Sequence, residues 1–298
     1  MKELSIVIVT YKSEHDIFDC LHSIWQYCDL PHEALEVIIV DNSPDSTNLF
    51  NRLQTLYGDD IVLIHNTHNG GYGQGNNVGI RKATAPVIMI MNPDVRMVEP
   101  MFKKAVEAFK RDRHLCMYGT KQMLSDTVKS PLSFDCSRRL NGYLIPIISS
   151  FCNRFDIYRP KYMYLQGSCF FISKEKFEEA GMFDEEIFMY GEEDDIHYRL
   201  KKRFGAQFQY NKHLHYQHLT LERPMSLSTE KKMVQSIVLS NKKKGIDARK
   251  TVKNFIRYYR TRLASAYVKK LLGKKNASEH ITILKAVIND LKVSSKDA

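Results

Sequence analysis

The sequence predicts an α/β fold, a doubly wound and mostly parallel sheet followed by a C-terminal helical extension. Three observations carry this. Short apolar, β-branched runs recur from Leu4 to Met91. Segments of helical character separate them, giving a βαβαβαβ order. From about Ser228 onward the pattern is helical without strand signals.

Leu4–Val9 is a continuous β-branched run, as expected for a parallel strand buried on both faces. A helix is expected over Glu14–Tyr27, a second buried strand over Glu36–Val40, and a helix over Ser46–Leu56. Ile61–His65 reads as the third strand, Gly75–Ala83 as a helix, and Pro86–Met91 as a fourth strand that Asn92-Pro93 breaks. Pro100–Lys110 is another expected helix, while Thr120–Lys161 shows little regular pattern. Met163–Ser173 reads as one strand, Lys174–Ala180 and Asp194–Arg203 as helices, and Gln207–Tyr210 and Leu214–His218 as two strands. In such a sheet, ligands bind at the carboxyl ends of the strands. The expected division is a nucleotide-binding and catalytic domain over residues 1–226 and a basic helical extension over 227–298.

The chain has 298 residues and is 43% hydrophobic, enough for a sizeable core. No window of 18 uncharged apolar residues occurs, and the opening MKELSIVIVT lacks the features of a signal peptide. A cytoplasmic location is therefore expected, with a peripheral position at the inner face of a membrane as its variant. Six cysteines are scattered without a CxxC pair, which favours free thiols over a zinc site or a disulfide framework.

Charge is unevenly spread. Residues 231–298 hold 18 Lys and Arg against 4 Asp and Glu, while the whole chain is only +10. The basic character belongs to the tail, and the body is mildly acidic. That asymmetry points to an anionic partner, either membrane lipid or a phosphorylated acceptor. Within Lys253–Lys275, Ile256, Tyr259, Leu263, Ala266 and Tyr267 share one helical face and Lys and Arg fill much of the rest. This is the composition of an interfacial helix or of a packing helix with a solvated side. No nucleic-acid recognition motif is present, so no nucleic-acid partner is expected. Oligomeric state is left open.

Five features could carry chemistry. Asp41 follows a buried strand, where a carboxylate can accept from a pyrimidine N3–H or cap the next turn. Asn69–Gly79 is rich in Gly and Asn between a strand and a helix, which allows close backbone approach to a ligand. It lacks the third glycine of a dinucleotide fingerprint and has no Gly-Lys-Ser/Thr. Asp94, just past the fourth strand, could bind a divalent cation together with diphosphate oxygens, or be a solvated turn residue. Glu192-Glu193-Asp194-Asp195 crowds four carboxylates, which raises their proton affinity and suits a general base. The same acids would also favour a helix N-terminus, and Asp195 could pair with Arg199 one turn on. His218 ends an expected strand, where it could meet a metal or diphosphate.

Together these segments resemble the inverting GT-A glycosyltransferase family 2, and within it the rhamnosyltransferase-like branch, from about Leu4 to His218. Ser5–Lys12 is similar to that family's first strand, whose end contacts nucleotide at Thr10 and Tyr11; Lys12 stands where Asn is usual. Val40–Ser43 matches the base-recognition motif, placing Asp41 at the base. The Asn69–Gly79 loop matches the family's N-x-G-Y/F-G…N-N-x-G pattern, which brings Asn69, Gly71 and Asn77 to the donor. Met91–Asp94 matches the Asp-x-Asp metal motif with Asn92 in place of its first Asp, leaving Asp94 as the surer ligand. Gly167–Arg199 matches a long acceptor-side signature that ends in E-D-x-D, with Glu193 at the position of the base and Glu192, Asp195 and Gly167 around the acceptor.

The resemblance implies a UDP- or dTDP-sugar donor and an acceptor hydroxyl on a saccharide or lipid-linked saccharide of a cell-surface polysaccharide. It also implies Mg²⁺ or Mn²⁺ held by Asp94 and His218. The rivals are a non-catalytic nucleotide-sugar-binding protein and a sugar-phosphate nucleotidyltransferase. The latter needs a Gly-rich loop after the first strand, and Thr10–Glu14 has no glycine.

Overall fold

The computed structural model describes residues 1–219, 225–274 and 276–297; Lys275 of the tail helix lies outside them. The first half alternates as expected: β1 (Leu4–Thr10), α1 (Ile17–Gln26), β2 (Leu35–Asp41), α2 (Thr47–Tyr57), β3 (Ile61–His65), α3 (Gly71–Lys82) and β4 (Val87–Met91). Then come β5 (Val95–Met97), α4 (Phe102–Arg111), β6 (Met117–Met123), β7 (Phe134–Cys136), α5 (Ile145–Arg154), β8 (Met163–Leu165) and β9 (Cys169–Ser173). The chain continues through α6 (Lys174–Glu179), α7 (Glu192–Phe204), β10 (Phe208–His218), α8 (Leu227–Lys243), α9 (Ala248–Leu271) and α10 (Ala277–Asp297).

An eight-stranded sheet in the order β3-β2-β1-β4-β9-β6-β10-β5 forms the body. β1 pairs parallel with both β2 and β4, whereas β9 runs antiparallel between β4 and β6. Alternate residues of the central strands feed two cores. Ile6, Ile8, Val37, Ile39 and Met89 pack under α1, α2 and α4. Val7, Ile38, Val40, Ile88 and Ile90 pack under α3, α6 and α7 on the other face. Both faces are covered, so the strands carry no polar alternation.

Several elements differ from expectation. Met163–Ser173 is two strands, because Gln166-Gly167-Ser168 turns between the small β7–β8 sheet and the main sheet. The two expected strands near His218 are one, β10, with a register shift between Asn211 and His215. α3 begins at Gly71 and α7 at Glu192, each earlier than the sequence indicated.

The tail helices share their own core, in which Tyr259, Val287 and Leu284 are buried. Ile256, Tyr259, Leu263 and Ala266 turn into that core, while Tyr267 is exposed. Of the two readings open for this helix, that face is mostly a packing face. None of the described helices is long and apolar enough to cross a membrane.

Candidate active site

Because β1, β2, β3 and β4 are parallel, their carboxyl ends share one edge. Antiparallel β9 brings its amino end, and with it Gly167-Ser168, to the same edge, where Met91 faces Cys169. β10 runs parallel to β6 and ends there too, with His218 opposite Val95. Asp94, His218, Gly167 and the start of α7 thus converge.

Thr10 and Asp41 are register partners at the ends of β1 and β2. Asp41 is buried and accepts from the hydroxyls of Thr10 at 2.8 Å, Ser43 at 2.9 Å and Ser46 at 2.6 Å. Ser43 also accepts from the Lys12 amide at 2.8 Å, which fixes Lys12 in its left-handed conformation (φ 53°). Tyr11 stands exposed above this network. The hydroxyls occupy both Asp41 oxygens and tie the two strand ends together.

In the glycine-rich loop, Asn69 Oδ1 accepts from the Gly71 amide at 3.2 Å. Gly71 has φ +90°, and a Cβ there would overlap the Phe188 carbonyl, so only glycine fits. Asn77 donates to the Phe183 carbonyl at 3.0 Å and Glu185 at 2.9 Å, and accepts from the Phe183 amide at 3.0 Å. Its amide is thus spent on holding residues 183–185 against α3.

Asp94 Oδ1 lies 3.2 Å from His218 Nε2, with both side chains partly open to solvent. The Leu219 amide donates to the Asp94 carbonyl at 2.9 Å, locking the two segments together. Among the described residues no group of three or more His, Cys, Asp or Glu is placed to hold a metal. One carboxylate and one imidazole nevertheless fit a hard divalent cation that takes its remaining ligands from diphosphate and water.

The Asn92 amide donates to the Ser168 carbonyl at 2.9 Å, joining the Asp94 turn to the Gly167 turn. The Tyr72 hydroxyl donates to the Gly167 carbonyl. On the other side, the Glu193 carboxyl lies against Gly167, where a Cβ would come inside the 3.0 Å that real Cβ atoms essentially never cross.

The four acids of α7 divide by environment. Glu193 is half-buried; burial pushes its carboxyl above the ordinary range, while amides including that of Gly167 partly offset the rise. Glu192 is 3% exposed, and burial together with the Glu193 charge pushes it well up. Its Oε2 has no hydrogen-bond partner among the described residues. Asp194 lies 3.5 Å from Arg139. Asp195 pairs with Arg199 at 2.7 Å and Lys244 at 2.8 Å, and accepts from Ser240 at 3.0 Å. Asp195 therefore fastens α7 to the tail helix α8.

Sequence reasoning missed His197. Its Nδ1 meets the Glu193 carbonyl at 2.8 Å and its Nε2 accepts from the Leu165 amide at 3.0 Å. Burial pushes its pKa down to about 4, so it is neutral at pH 7, with the proton on Nδ1. The four-residue spacing from Glu193, one helical turn, was the available signal. Tyr72 and Ser168 lay inside recognised motifs, but only their contacts reveal what they do.

Residues 5–181 match glycosyl transferase family 2, more than half of the chain. The chain belongs to glycosyl transferase family 2. The family match ends before Glu193 and His218, so the placement of those two rests on the geometry above. Over 221 residues the chain is 28% identical to the low-salt glycan biosynthesis hexosyltransferase Agl10 of Haloferax volcanii, covering 68% of this chain and 62% of that protein. Over 94 residues it is 33% identical to the poly(ribitol-phosphate) beta-glucosyltransferase of Bacillus spizizenii, covering 31% of this chain and 15% of that one. The chain thus spans about six tenths of one curated relative and much less of the other.

Among solved structures, the Pyrobaculum calidifontis mannosyltransferase PcManGT, in complex with GDP-Man and Mn²⁺, is similar at TM-score 0.64 and 15% identity, covering 98% of this chain and 86% of that one. GalNAc-T7 with UDP, GalNAc and Mn²⁺ is similar at TM-score 0.63 and 15% identity, covering 81% of this chain and 48% of that one. These likenesses bear out the GT-A form of the family 2 fold.

Proposed function

We propose that this chain is a metal-dependent inverting glycosyltransferase that moves a sugar from a UDP- or dTDP-sugar to an acceptor hydroxyl on a saccharide or lipid-linked saccharide, in cell-surface polysaccharide synthesis. The observation that carries the reading is the Asn92–Ser168 hydrogen bond. It couples the turn bearing Asp94 to the turn that seats Glu193, so a leaving diphosphate and an attacking hydroxyl can be served at one strand edge.

Asp94 and His218 would hold Mg²⁺ or Mn²⁺, which when bound supplies positive charge to the departing diphosphate. Two structural neighbours in complex with Mn²⁺ support a metal in this reading. Thr10, Tyr11, Asp41, Asn69 and Gly71 shape the nucleotide side; Asn77 positions the wall behind it. Glu193 takes the proton from the acceptor hydroxyl while that oxygen bonds to the anomeric carbon and the carbon–diphosphate bond breaks. Attack opposite the leaving group inverts the centre. Burial and the neighbouring Glu193 charge both push the Glu192 carboxyl towards its protonated form. The transferred sugar is left open among rhamnose, galactose, glucose and an N-acetylated sugar.

Thermal-shift titration with nucleotide sugars, with and without Mn²⁺, tests the reading, because a ligand of the folded state raises stability by mass action. A uridine or thymidine diphosphate sugar should stabilise the chain only with metal, and Asp94→Asn should abolish that dependence. Stabilisation identical with EDTA and with Mn²⁺ would remove the metal from the site.

A further inference from the structure

We infer that α5 and the basic recess beside it form a docking surface for anionic phospholipid. The surface is distinct from the tail-helix face, for which the sequence allows both an interfacial and a packing reading. One side of α5 packs Ile145, Ser149 and Cys152 inward. The opposite side leaves Leu144, Ile147, Phe151 and Phe155 at 49%, 58%, 57% and 55% exposure. These positions recur at three- and four-residue spacing, so they form one continuous apolar stripe. Soluble surfaces rarely leave so large a stripe unless it meets a partner.

The surroundings specify the partner. Arg154 and Arg159 are exposed at the end of the stripe. Arg260 of α9 donates to the Tyr143 hydroxyl at 3.4 Å, which places a further cation at its start. Beside it, Arg138, Arg139, Lys250 and Arg257 line a cavity of about 260 Å³ with no acidic residue in its wall. Arg138 is buried; its Nη2 donates to Asp135 at 2.7 Å, but Nε and Nη1 have no hydrogen-bond partner among the described residues. Four cations around one recess fit a phosphate group. Asn254 holds this recess to the stripe, donating to the Arg138 and Leu140 carbonyls and accepting from the Gly142 amide.

A partner that offers acyl chains to the stripe and phosphate to the cations is a lipid surface. A second copy fits poorly, because two-fold pairing of this face would bring like-charged rims together.

Co-sedimentation of the full chain with phosphatidylglycerol–phosphatidylcholine vesicles, and with phosphatidylcholine alone, tests this at physiological ionic strength. It needs no donor, metal or turnover, so its outcome is separate from that of the transferase reading. The wild type should prefer the anionic vesicles. Ile147→Glu combined with Phe151→Glu should weaken binding on the order of tenfold or more with an unchanged melting temperature, since both side chains are exposed. Lys250→Ala combined with Arg257→Ala should remove about tenfold of the anionic preference. Failure of the wild type to sediment would overturn the inference. So would an α5 variant that binds like wild type, or a wild-type dimer that the α5 variant splits without any vesicle binding.

Discussion

The Glu193 carboxyl occupies the space that a side chain at Gly167 would need. Gly167→Ala must therefore push Glu193 away. The expected result is a loss of kcat on the order of 100-fold, as for other small misplacements of a reacting group, with donor affinity retained. Steady-state kinetics beside a donor titration checks this; unchanged kcat would mean that Glu193 need not rest there.

His197 makes folding stability depend on pH. Its folded pKa of about 4 lies below the ordinary 6.5, so between these values the unfolded chain binds more protons. Stability should then fall as pH drops from about 6.5 towards 4, by up to about 3 kcal/mol from this residue. Urea midpoints at several pH values should show that slope in the wild type and a shallower one in His197→Gln.

Asp195 joins the catalytic body to the tail. Burial alone would raise its pKa, but the Lys244 and Arg199 charges outweigh that and hold it below 3.8. Its contribution is present above about pH 4 and lost as pH falls through the folded value. Asp195→Asn should cost about 3 kcal/mol at neutral pH, because it leaves two cations underpaired. The difference should shrink in acid, as measured by denaturant titration of both proteins.

Much of this was legible in the sequence, for physical reasons. β1, β2 and β4 are buried on both faces and read as unbroken apolar runs, and the Gly71 and Asp94 motifs follow directly from strand ends. The stretch from 120 to 161 was not legible. β6 carries Thr120, Lys121 and Gln122, and β7 is only three residues long. α5 defeats an amphipathic reading, because it exposes apolar residues where polar ones are expected. At the site, adjacent carboxylates look alike in sequence. Only packing separates half-buried Glu193 from buried Glu192 and from Asp195, which is committed to Lys244 and Arg199.

The most direct test is turnover and donor affinity of Glu193→Gln, which keeps the shape and removes the base. If a carboxylate at 193 takes the acceptor proton, kcat should fall on the order of 100-fold or more while the nucleotide-sugar Kd in Mn²⁺ stays near wild type. A variant that transfers sugar at the wild-type rate would contradict the assignment.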